Sequence, residues 1–188
     1  MYRYKEIIER VKKLKKKYQT NDPYEIAENL NINIWERDFG TDDSSIKALI
    51  FKNARISYIG LNSNLPEIIA VFILAHELGH YILHNDKLSK CNTENTFFGT
   101  DCMEIEANLF AAELIIDDDE ILDELEDDEL TQYQIASKLH VPYQLLAYKI
   151  MLLKNKGYTV PELPETPKSN FLSGSLGMDE DWECYYVD

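Results

Sequence analysis

Apolar residues at Ile7, Ile8, Val11, Leu14 and Tyr18 recur at helical spacing through YKEIIERVKKLKKKYQ, and lysines fill the positions between them. That pattern predicts an amphipathic surface helix. Asn21-Asp22-Pro23 then offers a cap and a first-turn proline for a short helix over YEIAENL, ending near Asn31. The period changes next. INIWERD, IKALIFK and ARISYIGLN are short, rich in β-branched and aromatic residues, and separated by polar or glycine-containing turns, which predicts a small antiparallel or mixed sheet. From Leu65 to His84 the chain is almost uniformly apolar, the pattern of a helix buried on most of its surface.

Residues 85–102 show no clear period and read as a loop, and a second apolar helix is expected from Met103 to about Ile116. DDDEILDELEDDEL follows as an acidic turn and short helix. TQYQIASKLH and PYQLLAYKIMLLKNK, joined by Val141-Pro142, have the spacing of a helix-turn-helix. Beyond Gly157 the chain turns to Pro, Ser, Gly and acids, a composition with little power to form its own core, although Trp182, Tyr185 and Tyr186 offer it aromatic anchors. The expected class is α+β in three parts: residues 1–130 as the main domain, 131–157 as a helix-turn-helix-like segment, and 158–188 as a tail.

Length and composition narrow the function. At 188 residues and 45% hydrophobic the chain fits one domain with a sizeable core. No run approaches the roughly 18 consecutive apolar residues of a membrane span, and the lysine-rich start lacks a signal peptide's apolar stretch, so a cytoplasmic protein is expected. Cys91, Cys102 and Cys184 are odd in number and widely spaced, which suits reduced thiols better than disulfides. Residues 1–20 carry eight Lys or Arg against Glu6 and Glu9, so a +6 segment in a −15 chain leaves −21 on the remainder. A body of that sign disfavours nucleic acid as main partner and suits a basic protein better. The thirteen acids between Glu104 and Leu130, with no Lys or Arg among them, read as a solvated face.

The apolar helix contains FILAHELGHYILH. His76 and His80 are four apart and so stack one turn above the other, where two neutral imidazoles reach one zinc, with Glu77 beside them as general base to a bound water. Bulk water is too weak an acid near neutral pH, and zinc brings its pKa to about 7. Ionisable groups in so apolar a helix would be expensive unless matched. Gly79, costly in mid-helix, points to close approach by another backbone. A catalytic zinc takes a third protein ligand from another element, and Glu104-Ile105-Glu106-Ala107-Asn108 places acids on the next apolar helix. Glu104 and Asn108 are one turn apart, so one can ligate while the other hydrogen-bonds a ligand histidine. Glu106, about 200° around from Glu104, is expected to face solvent.

HELGH, followed after a loop by MEIEANLFAAELI, resembles the ImmA/IrrE family of zinc metallopeptidases, related to gluzincins, and NDPYEIAENLNINI and QIASKLHVP resemble it too. The resemblance covers roughly residues 1–156 and leaves the tail outside. It implies a zincin-like core with the sheet packed on the HExxH helix. It also implies a cytoplasmic protease that inactivates a helix-turn-helix repressor by site-specific cleavage. Carried onto this chain, His76, His80 and Glu104 bind zinc and Glu77 is the catalytic base, because the family's motif glutamate stands four residues before the Asn. One departure is that Ile115-Ile116-Asp117 replaces the proline usual after the LFAAELL-like run.

Several assignments stay open on sequence. His84, one turn past His80, reads as a packed or helix-end histidine before a third ligand or a transition-state donor. ARISYIGLN, just ahead of the active helix, is the expected edge strand for an extended substrate, with an interior strand as the alternative. Twelve tyrosines leave an oxyanion donor unassigned. Cys184 in the tail is a remote candidate for blocking the zinc. Two other functions compete: a regulator using residues 131–156 on DNA, although Pro142 to Ile150 offers Lys149 alone as a cation, and a non-cleaving antirepressor whose zinc is structural.

Overall fold

A computed structural model describes residues 3–42, 45–53, 56–88, 101–127 and 130–161. The predicted first helix is α1 (Tyr4–Tyr18), with Ile7 and Val11 buried and its lysines outward. Helix α2 (Pro23–Asn29) starts as its cap residues require: the Asp22 side chain accepts from the Tyr24 backbone N–H, and Pro23 takes the first turn. It stops at Asn31, whose φ of 55° is the left-handed conformation that asparagine tolerates.

The three apolar runs form β1 (Ile32–Arg37), β2 (Ala48–Asn53) and β3 (Ile56–Asn62). They pair as a mixed sheet in the order β1-β3-β2, with β3 parallel to β1 and antiparallel to β2. The register aligns Ile34, Ile59 and Ile50 across the strands. With Ile32, Leu61 and Ala48 on the same parity, they form the face turned to the helices. The other face keeps Trp35 and Phe51 exposed, with Phe51 stacked on Tyr58 at 5.0 Å. Because β3 is paired on both sides, the described part of that run, Ile56–Asn62, is an interior strand. Among the described residues the edges are β1 and β2, and β2 packs on the long apolar helix.

That helix, α3 (Glu67–Leu88), runs one turn past the expected end, so the predicted loop is shorter, and its residues 89–100 lie outside the described ones. His84 interrupts it with φ −125° and ψ 15°. The Ile82 carbonyl, two residues before the kink, accepts from Arg10 Nη1 at 3.0 Å. The stretch Glu67–His84 is long and apolar enough to cross a membrane by length and composition, yet 61% of it is buried inside the protein, as in a core helix.

α3 packs most extensively on α4 (Asp101–Ile115), and Gly79 is where the two backbones meet. A Cβ at Gly79 would stand 3.0 Å from Ala107 Cα and 3.1 Å from its carbonyl oxygen. Gly79→Ala gains about 1 kcal/mol in helix propensity but forces a well-packed backbone contact apart at about 1–3 kcal/mol. Since helix backbone yields less than a side chain, a net loss on the order of 1 kcal/mol is expected. Unchanged thermal unfolding of the variant would show that the helices can part.

α5 (Asp118–Glu124), α6 (Gln132–Lys138) and α7 (Tyr143–Lys156) complete the described helices. Thr131 and Gln134 form a capping box at α6. α7 packs on α4, and Leu145, Leu146, Leu152 and Leu153 belong to the same core as α3 and α4.

The acidic run is only partly a solvated face. Glu113 and Asp118 turn inward and share Lys149 and Lys156: Lys149 Nζ lies 2.9 Å from Glu113 and 2.6 Å from Asp118, and is 1% exposed. Two acids and two lysines neutralise one another there, which is what allows charges so deep in the core.

Candidate metal centre

His76 and His80 project from one face of α3 into the contact with α4, where Glu104 meets them. The His76 and His80 Nε2 atoms are 3.0 Å apart, and the Glu104 carboxylate oxygens stand 3.2 Å from the first and 3.3 Å from the second. One donor atom from each of the three residues lies within 4.8 Å of the others, close enough for all three to reach one ion with ligand bonds near 2.0–2.2 Å. The donor set of two imidazoles and a carboxylate fits a borderline divalent cation such as zinc. Among the described residues, His76, His80 and Glu104 are the one group of His, Cys, Asp or Glu side chains that converges in this way.

His76 Nδ1 lies 2.8 Å from Asn108 Oδ1. A carboxamide oxygen accepts, so Nδ1 carries a proton and Nε2 is the ring atom turned to His80 and Glu104. Sequence spacing placed Glu104 and Asn108 one turn apart, and the structure sets both against His76. Burial opposes charge on His76, but Glu104, Glu77 and Asn108 outweigh it and hold its pKa above the ordinary value. For Glu104, burial works against ionisation, but the hydrogen bonds from His76 and His80 prevail and hold the carboxyl well below the usual range. Glu104 is therefore held in the ionised form that a metal takes, whereas a metal would have to displace a proton that the same carboxylate favours on His76.

Glu77 is half-buried beside them. Burial pushes its carboxyl above the usual range, the Glu104 charge adds to the rise, and the two imidazoles partly offset it. A carboxylate raised in this way is a stronger base than an exposed one.

Glu106 does not face solvent. It is 7% exposed and receives the guanidinium of Arg3, with Nε 3.1 Å from one carboxylate oxygen and Nη2 on the other. The helical angle was right, but the surface at that angle is covered by α1, which packs on α4. Arg3 was missed by sequence reasoning; the signal available was an acid in an apolar helix that needed a cation from somewhere.

His84 is packed at the helix kink, as expected, and takes no place among the three converging donors. Its Nε2 is buried without a hydrogen-bond partner, 3.7 Å from Glu106. Burial lowers its pKa to about 4, with the positive potential of His80 and Arg3 adding and Glu106 opposing. Between pH 6.5 and about 4 the unfolded chain thus binds the proton that the folded one refuses. Stability is lost as pH falls through that window, on the order of 3 kcal/mol from this group. Unfolding free energies of metal-free protein from pH 7 to 4 should fall less steeply for His84→Leu than for wild type. Parallel curves would refute the assignment.

Residues 27–151 match the model of a peptidase family described as the IrrE N-terminal-like domain. The chain belongs to the ImmA/IrrE family. Two relatives align along most of their length. "Uncharacterized immunity region protein 2" of Bacillus phage phi105 is 36% identical over 146 residues, 77% of this chain and 90% of that protein. "Metallopeptidase ImmA" of Bacillus subtilis is 32% identical over 161 residues, 80% of this chain and 87% of that protein. The matched ImmA/IrrE region contains α3, α4 and α6, with most of α7, and α1 lies ahead of it. Cys91, Cys184 and the tail aromatics lie outside the described residues.

Proposed function

We propose that the chain is a zinc-dependent endopeptidase, cytoplasmic in location, that cleaves a helix-turn-helix transcriptional repressor and so derepresses its genes. The observation that carries this is the convergence of His76, His80 and Glu104 within 4.8 Å of one another, beside Glu77. A relative named as a metallopeptidase and another named for a phage immunity region support the reaction and the regulatory setting.

In this reading His76, His80 and Glu104 hold the metal. A bound zinc supplies Lewis acidity toward a carbonyl oxygen and lowers the pKa of water. Glu77 takes the proton of the attacking water and returns it to the leaving amine, a reversal suited to a carboxylate whose burial has brought its pKa toward neutrality. Asn108 keeps His76 in its ligand tautomer. The substrate lies extended along the edge strand β2, which packs on α3.

The DNA-binding reading loses the lone cation of its recognition segment, Pro142 to Ile150, because Lys149 is buried between Glu113 and Asp118 and cannot reach a phosphate. The non-cleaving reading is separated by experiment. Purified chain loaded with zinc should cut its repressor into two defined fragments, and chelation should stop it. Sequestration of intact repressor at equal concentrations would instead establish a binding antirepressor.

A further inference from the structure

We propose that the cavity between the start of α3 and the α6–α7 turn is a substrate subsite, one that takes a large apolar side chain of the cleaved protein together with the peptide groups flanking it; the inference rests on the peptidase reading above. The cavity measures about 300 Å³, and Ile69 of α3, Ala136 of α6, Val141 and Pro142 of the turn, and Gln144 of α7 line it. An apolar space of roughly 150 Å³ already holds a benzene ring, so a leucine or phenylalanine side chain fits here with room for main chain.

Gln144 gives the cavity its chemistry. It is 6% exposed, and among the described residues no hydrogen bond satisfies its side-chain amide. A buried carboxamide without partners is costly, because two N–H donors and an acceptor oxygen are left unserved. A peptide group presents the complement, one carbonyl oxygen and one N–H, and pairs with the amide at both. Beside it α7 starts at Pro142 without a side-chain cap, and the Gln144 backbone N–H has no intrahelical acceptor, which favours a second carbonyl oxygen there.

Two helices tie the cavity to the metal centre. Ile69 stands seven residues before His76 on α3, which is two turns and about 10 Å along the axis on nearly the same face. Gln144 stands one turn before Tyr148 on α7, and the Tyr148 hydroxyl lies 3.1 Å from the amide nitrogen of Asn108, whose oxygen meets His76. An extended chain rises about 3.3 Å per residue. A substrate cut at the metal centre therefore seats in this cavity a side chain about three residues from the scissile bond.

N-acetylleucinamide, one apolar side chain between two amide groups, is the probe. Titrated into metal-free, 15N-labelled full chain, it should give saturable shifts of the Gln144 side-chain NH2 and of backbone N–H groups at the start of α7. N-acetylglycinamide should bind at least about tenfold more weakly, since it has no side chain to bury. Gln144→Leu should weaken the leucine probe about 3- to 10-fold, the equivalent of one neutral hydrogen bond, and should unfold at or above the wild-type temperature because an unpartnered amide is gone. Ser137→Trp, a change at an exposed residue that also lines the cavity, should block the probe while the fold stays intact. With zinc-loaded protein and its repressor, Gln144→Leu should raise KM and leave kcat near wild type. Absence of a saturable shift, equal binding of the glycine probe, or a Gln144→Leu variant that loses stability but keeps wild-type probe affinity would overturn the proposal. If zinc-loaded protein cuts no repressor, the peptidase reading fails by itself, and the probe titrations still decide whether the cavity binds peptide.

Discussion

Glu77→Gln is expected to bind zinc as wild type does and to lose cleavage of the repressor by about 10²–10⁴-fold, the usual contribution of a positioned general base. The substitution keeps the shape of the side chain and leaves His76, His80 and Glu104 untouched. What it removes is an atom able to take a proton. It also deletes a carboxyl held above its usual range by burial and by the nearby Glu104 charge, so the metal-free variant should fold at least as well as wild type. The decisive comparison is elemental analysis alongside cleavage of the same repressor. A variant that retains metal and still cuts at the wild-type rate would remove Glu77 from the mechanism.

Glu104→Ala should abolish stoichiometric zinc, and Glu106→Gln should not. The two acids are neighbours in sequence, yet Glu104 faces both imidazoles within 3.3 Å while Glu106 faces Arg3. Ligand binding stabilises the folded state by mass action, so zinc at 100 times its dissociation constant should raise the stability of wild type by about 2.7 kcal/mol. The same addition should leave Glu104→Ala unmoved and still raise Glu106→Gln, whose starting stability is lower because Arg3 loses a charged partner. Zinc-dependent stabilisation of Glu104→Ala at wild-type strength would transfer the third ligand elsewhere.

The parts legible in sequence were those written in local spacing. Two histidines four apart, an acid four before an asparagine, and a glycine in an apolar helix each state a geometry that a single helix enforces, and the fold brings them together at the α3–α4 contact. Strand order is not local. Alternation marks β3 as half-buried whether it lies at an edge or in the middle, and only its pairing with both β1 and β2 decides. Long-range charge partners were hidden for the same reason. Glu106 and Arg3 are 103 residues apart, and Glu113 and Lys149 are 36 apart, so neither the wheel that placed Glu106 nor the acidic run that holds Glu113 could say what would cover each acid. Lys149 looked like a surface cation because lysine is usually one.

The Arg3 side chain carries a last implication. It stands 24 residues ahead of the stretch by which the family is recognised, yet it holds the α4 carboxylate next but one to Glu104. The span that defines kinship and the span that braces α4 therefore differ in length. Any shortening of this polypeptide to its shared portion would retain His76, His80 and Glu104 while releasing a tether on the helix that carries the last of them.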